Sequence, residues 1–300
     1  MKVVICDPVD DSVNEYFENS DKFDLVEAFE QAELEEEIDT ASFLIIRSGT
    51  TVTRGLMEKG DELIGVVRAG VGLDNVDLDA AEELGVEIQN TPEASTNAVA
   101  ELVVGHILSI YRTISRADAA LKEGVWIKKE VDGCEIMDKT VGLVGYGRIG
   151  QRAGELLSGF GADITAFDEY IDDAVIEQNG ARPVSLDSII EDSDIISVHV
   201  PLTEETENLF TDKEFKRMKD SAIIVNCSRG GIVNEKALKV ALDNGEIYGA
   251  GLDTYTQEPP ADVELFSSPH LVATPHLGAT TSEAQARIAR LIIDKIEAMS

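Results

Sequence analysis

The run VGLVGYGRIG sets glycines at 145, 147 and 150 between an apolar stretch and an amphipathic one, and no other segment constrains the backbone so tightly. Gly145 permits a tight turn out of a strand, Gly147 lets the backbone approach a pyrophosphate, and Gly150 lets the next helix pack closely on that strand. Free N–H groups at the helix start then face an anion. On this reading 140–144 is a buried strand and 149–157 a helix, and ADITAFD is a second strand closed by Asp168. A lone GxGxxG is a weak sign. The strand, helix and acid around this one favour a dinucleotide site, for a nicotinamide or flavin cofactor, over a glycine turn in some other α/β protein.

Asp168 also speaks to which dinucleotide is bound. A carboxylate at the end of the second strand accepts hydrogen bonds from the ribose 2′ and 3′ hydroxyls and repels a 2′-phosphate, which would want an Arg. Glu169 and Tyr170 follow with no base among them, so NAD is favoured over NADP.

A chain of 300 residues with 43% hydrophobic content exceeds the usual single-domain size, and two domains are expected. No apolar run approaches the ~18 to 20 residues of a membrane span. The start, MKVVICD, lacks the features of a signal peptide, and a cytoplasmic location is expected. Cys6, Cys134 and Cys227 fit neither a disulfide framework nor a zinc site, and no metal site is expected. The 58 acidic residues against 25 basic ones give a formal charge of −33, which disfavours nucleic-acid and anionic-membrane partners. These acids are spread along the chain, with only 33–37 forming a dense block, and they suggest adaptation to high salt; the plainer alternative is an acidic cytosolic enzyme.

Periodicity sorts the rest into an α/β alternation. Strands are expected at 2–6, 43–46, 64–68 and 86–89, with helices at 13–18, 34–37 and 79–84, which implies a parallel sheet with covered faces. A boundary is expected at 90–93, in the turn-forming NTPEAS stretch, followed by one long helix over 97–121. Beyond it, strands at 140–144, 163–167, 182–184, 195–198, 222–226, 248–252 and 271–273 alternate with helices at 186–191, 211–218 and 235–244, as in a doubly wound parallel sheet. A final amphipathic helix is expected over 281–299.

Four histidines make the search for an acid/base group short. His106, inside the apolar LVVGHILSI, reads as a packed, hydrogen-bonded core residue. His199 follows a strand, where a structural or supporting role outweighs a catalytic one, and His270 reads as a loop residue. His276, between the last strand and the final helix, lies on a loop at the carboxyl edge of the sheet, where open α/β folds bind ligands. Interconverting an alcohol and a ketone needs a group to take or return the hydroxyl proton, and imidazole suits this near neutral pH when a carboxylate orients it. Glu258, in TQEPP, is a candidate for that carboxylate. Arg229, in NCSRGG, is a candidate guanidinium for a substrate carboxylate and carbonyl oxygen. Taken alone, each is as readily a surface salt-bridge residue or a turn acid.

Taken together, VVRAGVGLDNVD from Val66, NTPEAST from Asn90, ELVVGHILS from Glu101, VGLVGYGRIG, HVPLTEET from His199, VNCSRGGIVNEKAL from Val225, GAGLDTYTQEPP from Gly249 and TPHLGATT from Thr274 resemble the D-isomer-specific 2-hydroxyacid dehydrogenase family, and most closely its D-3-phosphoglycerate dehydrogenase members. The ordered series covers essentially the whole chain. The resemblance implies two doubly wound α/β domains with a cleft between them: a substrate-binding domain of 1–93 with 280–300, and a Rossmann NAD-binding domain of 94–279. It implies a catalytic set of Arg229, Glu258 and His276, with His276 as acid/base, Glu258 holding the imidazole and Arg229 orienting the substrate. It implies cofactor contacts at Gly145, Gly147, Arg148, Ile149, Gly150, Asp168, Val200, Cys227, Ser228, Arg229, Asp253, His276 and Gly278, with Asp253 at the carboxamide. The loop of Arg68, Ala69, Gly70, Val71 and Gly72 resembles the family's substrate-carboxylate loop, and homodimers joined through the cofactor domains are implied.

Arg47 and Arg68 match basic positions that phosphoglycerate-type members use near the phosphate end, while strand-end salt bridging is their plainer reading. The expected reaction is oxidation of 3-phospho-D-glycerate to 3-phosphohydroxypyruvate, the first step of serine biosynthesis, with glyoxylate or hydroxypyruvate reduction as the alternative. The chain stops after the helix that crosses back to the first domain, so no serine-sensing regulatory domain is expected. The same fold and catalytic residues also occur in the C-terminal binding protein corepressors, and an NAD-sensing binding role is the alternative of another class.

Overall fold

The computed structural model describes residues 1–261 and 263–300 and divides into two compact units, Met1–Ser95 with Ala279–Ser300, and Thr96–Gly278. The first unit alternates β1 (Lys2–Ile5), α1 (Asp11–Glu18), β2 (Asp24–Glu27), α2 (Gln31–Glu37), β3 (Phe43–Ile46), α3 (Arg54–Met57), β4 (Gly65–Arg68), α4 (Leu78–Leu84) and β5 (Glu87–Asn90). Its five strands are parallel, in the order β2-β1-β3-β4-β5. Apolar runs such as FLII of β3, fully buried, need cover on both faces, and two clusters built around Leu44, Ile46 and Val66 and around Ile5, Phe43 and Val67 provide it.

The second unit opens with α5 (Thr96–Tyr111) and α6 (Ile114–Lys122). It continues through β6 (Thr140–Val144), α7 (Arg148–Ser158), β7 (Asp163–Phe167), α8 (Asp173–Gln178), β8 (Arg182–Pro183), α9 (Leu186–Asp192) and β9 (Ile195–Val198). It closes with α10 (Asp212–Phe215), β10 (Ile223–Asn226), α11 (Glu235–Asn244), β11 (Gly249–Leu252) and β12 (Leu271–Ala273). The seven-stranded parallel sheet runs β12-β11-β10-β9-β6-β7-β8, so the strand order reverses beside β6, between β6 and β9. Ligands of open α/β sheets bind outside the carboxyl ends of the strands at such a switch point. The last helix, α12 (Ser282–Met299), belongs to the first unit, where Ile288, Ile292 and Ile296 join its core.

The helix expected over 97–121 is two helices, bent by 65° around Thr113, whose φ is +53°. The reason lies in the partners. α5 is buried along its length, whereas α6 has no buried residue, and the Tyr111 carbonyl, which a continuous helix would use internally, accepts instead from Cys134 N at 2.8 Å. The segment expected as a helix over 211–218 shortens to α10, which begins after its N-cap Thr211 and ends at the C-cap Lys216. Among the described residues, no single helix is long and apolar enough to cross a membrane.

Candidate active site

Register brings the candidate residues of the second unit to one level. Val144 pairs with Phe167 and Val198, Val198 with Asn226, Asn226 with Leu252, and Leu252 with Ala273. The next residue in each strand, Gly145, Asp168, His199, Cys227, Asp253 and Thr274, therefore lines the carboxyl edge of the sheet.

The glycine loop is built for close approach. Gly145 has φ +92°, and a Cβ there would lie 2.8 Å from the backbone carbonyl carbon of His199. At Gly150 a Cβ would fall 2.3 Å from the Gly145 carbonyl oxygen, so only glycine lets α7 start this near the strand end. Gly147 has nothing within 4 Å of such a Cβ and caps α7 with its backbone exposed. Open space over a helix N-terminus that presents free amides is what a pyrophosphate requires. Arg148 is exposed beside it and Ile149 half-buried, while Val200 packs against Gly145 from the far side of the switch point.

Asp168 is fixed by three backbone amides: Tyr146 N donates to Oδ2 at 2.7 Å, and Tyr170 N and Ile171 N donate to Oδ1 at 2.9 and 3.1 Å. The carboxylate stays half-buried at the edge, with acceptor capacity left for a ribose diol. His199 supports the loop from below: Ser197 Oγ lies 2.9 Å from its Nε2, and burial pushes the imidazole down to about 4. It is neutral at physiological pH, as befits a packing role under Gly150.

On the far side of the edge, His276 and Glu258 meet. The imidazole Nδ1 lies 2.7 Å from Glu258 Oε2, while Glu258 Oε1 accepts from Tyr255 N at 3.1 Å, so the carboxylate is held at both oxygens. Both side chains keep about two-fifths of their surface open, 42% for His276 and 36% for Glu258, and the ring's Nε2 is the nitrogen left for other chemistry. Arg229 is half-buried on the loop after β10, with Nη1 donating to the Ser228 carbonyl at 2.7 Å. That loop is shaped by Asn226, 1% exposed, whose Oδ1 accepts from Ser228 N and Oγ and whose Nδ2 donates to the Arg229 carbonyl. A Cβ on Gly230 would sit 1.9 Å from the Tyr255 carbonyl carbon; without one, the Arg229 loop presses against the segment that bears Glu258.

Asp253, at the position implied for the carboxamide, is tied into the fold. Its side chain is 0% exposed and is spent on the chain itself, accepting from Thr274 Oγ1 at 2.6 Å, Leu277 N at 2.7 Å and Gly278 N at 2.9 Å. A buried carboxylate so engaged braces the His276 loop. Cys227, 7% exposed, is likewise inside, with its thiol pushed well up by burial and then by Asp253. The supporting roles of Asn226, Thr274 and Gly230 were not legible in the sequence, because their partners lie on other strands.

In the first unit, Arg47 follows β3 and Arg68 is the last residue of the paired strand β4, where it is in register with Ile46. Arg47 Nη1 donates to the Pro8 carbonyl at 3.1 Å, and Asp7 Oδ2 accepts from Arg47 N at 2.6 Å. The Arg68 guanidinium folds over Gly70, where a Cβ would lie 1.7 Å from Nη1; Ala69 and Gly70 are buried beneath and Val71 is half-buried. Asn75 ties the two loops together by donating to the carbonyls of Arg47 and Thr50.

A phosphate loop at the switch point, a ribose-level acid and an imidazole–carboxylate pair on one sheet edge define a nicotinamide-dependent dehydrogenase class. Residues 104–278 match the family described as D-isomer specific 2-hydroxyacid dehydrogenase, NAD binding domain. The chain is 40% identical to the hydroxypyruvate reductase of Thermotoga maritima over 98% of its own length and 97% of that protein's. It is 39% identical to the D-3-phosphoglycerate dehydrogenase of Methanocaldococcus jannaschii over 99% of its length, and spans 57% of that relative. The structure of D-lactate dehydrogenase from Aquifex aeolicus complexed with NAD and lactic acid superposes with a TM-score of 0.89 at 26% identity, over 99% of this chain and 95% of that one. The chain belongs to the D-isomer specific 2-hydroxyacid dehydrogenase family, and its second unit carries that family's NAD-binding domain.

Proposed function

We propose that this protein interconverts a D-2-hydroxy acid and its 2-keto acid with NAD, and that the pair is 3-phospho-D-glycerate and 3-phosphohydroxypyruvate. The observation that carries the reaction type is the 2.7 Å contact of His276 Nδ1 with Glu258 Oε2 at the edge that also bears the glycine loop. With Nδ1–H donated to the carboxylate, Nε2 is the atom that takes the hydroxyl proton in oxidation and returns it in reduction. Arg229 pairs with the substrate carboxylate and draws electron density from the carbonyl oxygen. The residues that hold the dinucleotide are the amides from Gly147 to Ile149 at the pyrophosphate and Asp168 at the ribose. Bound there, NAD supplies the two-electron acceptor or donor that no side chain provides.

The phosphorylated substrate is supported by Arg47 and Arg68 on neighbouring strand ends, since a dianion in a chain of formal charge −33 needs local guanidinium groups. Glyoxylate or hydroxypyruvate reduction is the second reading, favoured by the near full-length match to a hydroxypyruvate reductase. The test is NADH oxidation with 3-phosphohydroxypyruvate, hydroxypyruvate and glyoxylate, on wild type and Arg47→Ala. The proposal expects the highest kcat/KM for the phosphorylated acid and an Arg47→Ala KM raised on the order of tenfold for it alone. A preference for either unphosphorylated acid assigns the second reading, and no turnover of any 2-keto acid removes both.

A further inference from the structure

His106 takes no part in the chemistry above, yet it is 2% exposed and polar in the middle of an apolar helix. Its Nε2 lies 3.0 Å from Thr274 Oγ1, and Thr274 Oγ1 lies 2.6 Å from Asp253 Oδ1. The direction of these bonds follows from counting protons. A carboxylate oxygen that already accepts from a backbone amide has only acceptor capacity to offer, so the single hydroxyl proton of Thr274 goes to Asp253. In the tautomer that carries its proton on Nε2, His106 donates to the free lone pair of Thr274 Oγ1 at 3.0 Å, and a donor at that place turns the hydroxyl toward Asp253.

Asp253 uses this anchorage to hold three consecutive amides. Its carboxylate accepts from Leu277 N and Gly278 N, and its carbonyl oxygen accepts from His276 N at 2.9 Å. The held segment contains the strained residue, His276 at φ +54°. A non-glycine residue persists in the left-handed region only where its surroundings over-determine it. β11 helps by leaving space: a Cβ on Gly251 would lie 3.0 Å from His106 Cβ and Nδ1, so glycine lets the imidazole settle against the strand.

We propose that His106 is a positioning residue for the acid/base loop, acting through Thr274 and Asp253 to hold His276 in the backbone conformation that aims its ring at Glu258. The proposal rests on His276 being the acid/base group. A side chain that merely fills core volume would be replaceable by any apolar residue of similar size. A donor in a directed relay would not be.

The variants are His106→Leu, which keeps volume and removes the donor, His106→Gln, which keeps an N–H donor, and Thr274→Val, which removes the middle link. Two readouts separate positioning from packing: the His276 ring 1H–15N cross-peaks by NMR in the cofactor-free protein, which report its hydrogen bond to Glu258, and the pH profile of kcat. In His106→Leu and Thr274→Val the His276 ring cross-peaks are expected to move or broaden as its contact with Glu258 loosens. Their kcat is expected to fall on the order of tenfold with keto-acid KM nearly unchanged, and His106→Gln to recover most of both. Combining His106→Leu with Thr274→Val adds little to either alone, because one relay is broken twice. A His276 ring spectrum and pH profile superimposable on wild type in His106→Leu overturns the proposal, whatever happens to its Tm. If His106→Leu does not fold, Thr274→Val carries the same test. If the wild type turns over no 2-keto acid while the His276 ring signals still move, the reaction assigned above falls, and what stands is the hold of His106 on the His276 loop.

Discussion

His276 carries its side chain on a left-handed backbone, φ +54°, while its ring is held by a carboxylate that is itself fixed at both oxygens. Such over-determination narrows the imidazole to one orientation and one tautomer, the condition for a proton to move in a defined direction. Glu258→Gln tests this with little change in shape, since the amide keeps the contact but loses the charge and can present its N–H2 group to Nδ1. The expected kcat is about a hundredfold to ten-thousandfold below wild type, as when the orienting acid of other acid/base histidines is neutralised. NADH affinity, measured by fluorescence, and Tm are expected to stay put; a kcat within twofold of wild type would remove Glu258 from its role. What was legible for single residues was their place: Arg229, Glu258 and His276 each lie on a loop that follows a strand of the second sheet. What escaped was their support, because Asn226 with its loop, Thr274 with Asp253 and Gly230 against Tyr255 are contacts that only folding creates, across spacings no local pattern encodes.

At the scale of elements, the glycine loop separates two demands that the motif compresses into one line. Gly150 is needed by the fold, since its Cβ would lie 2.3 Å from a backbone carbonyl oxygen that no side-chain rotation can move; at Gly147 an added Cβ would meet nothing within 4 Å, so the fold makes no such demand and the proposed dinucleotide does. Gly150→Ala is therefore expected to lower Tm and NADH affinity together, with a strain cost of about 1–3 kcal/mol. Gly147→Ala is expected to keep Tm and lose NADH affinity, which thermal melts and fluorescence titration of the two variants would show side by side. Equal Tm losses in both would sink the distinction. The strands were largely legible because buried parallel strands are nearly continuous apolar runs, as in FLII of β3 or TVGLV of β6. β2 was missed because DLVE is an edge strand with no fully buried residue. The break at Thr113 was missed because it depends on Cys134 reaching back to the Tyr111 carbonyl, a tertiary fact laid over a sequence that locally favours helix.

For the whole molecule the dominant quantity is the formal charge of −33. Among the described residues, Asp253 is the one Asp or Glu in the buried class, so this charge is spread over the surface of both units. Most of the ion pairs there join side chains that remain substantially open to solvent, such as Lys122 with Asp118 at 74% and 58% exposure, and pairs of that kind contribute roughly 0–1 kcal/mol each. With 58 acids against 25 bases, pairing cannot neutralise the excess, and the remaining carboxylates repel one another across the surface. Screening acts on this directly: the Debye length is about 10 Å at 0.1 M salt and about 3 Å at 1 M, so repulsion between neighbouring acids persists in dilute buffer and is largely removed in molar salt. The folded state concentrates charge more than the unfolded chain does, hence salt is expected to favour the fold. The expected outcome is a Tm that climbs steadily from 0.05 to 2 M KCl, about 10 °C or more in total, with NADH-dependent turnover rising over the same range. Calorimetry in KCl beside an uncharged osmolyte of equal osmolality separates screening from general exclusion effects, because the osmolyte leaves the repulsion intact. A Tm that is flat in KCl, or that rises equally in the osmolyte, would reduce the acidic surface to a matter of solubility and leave salt adaptation without support.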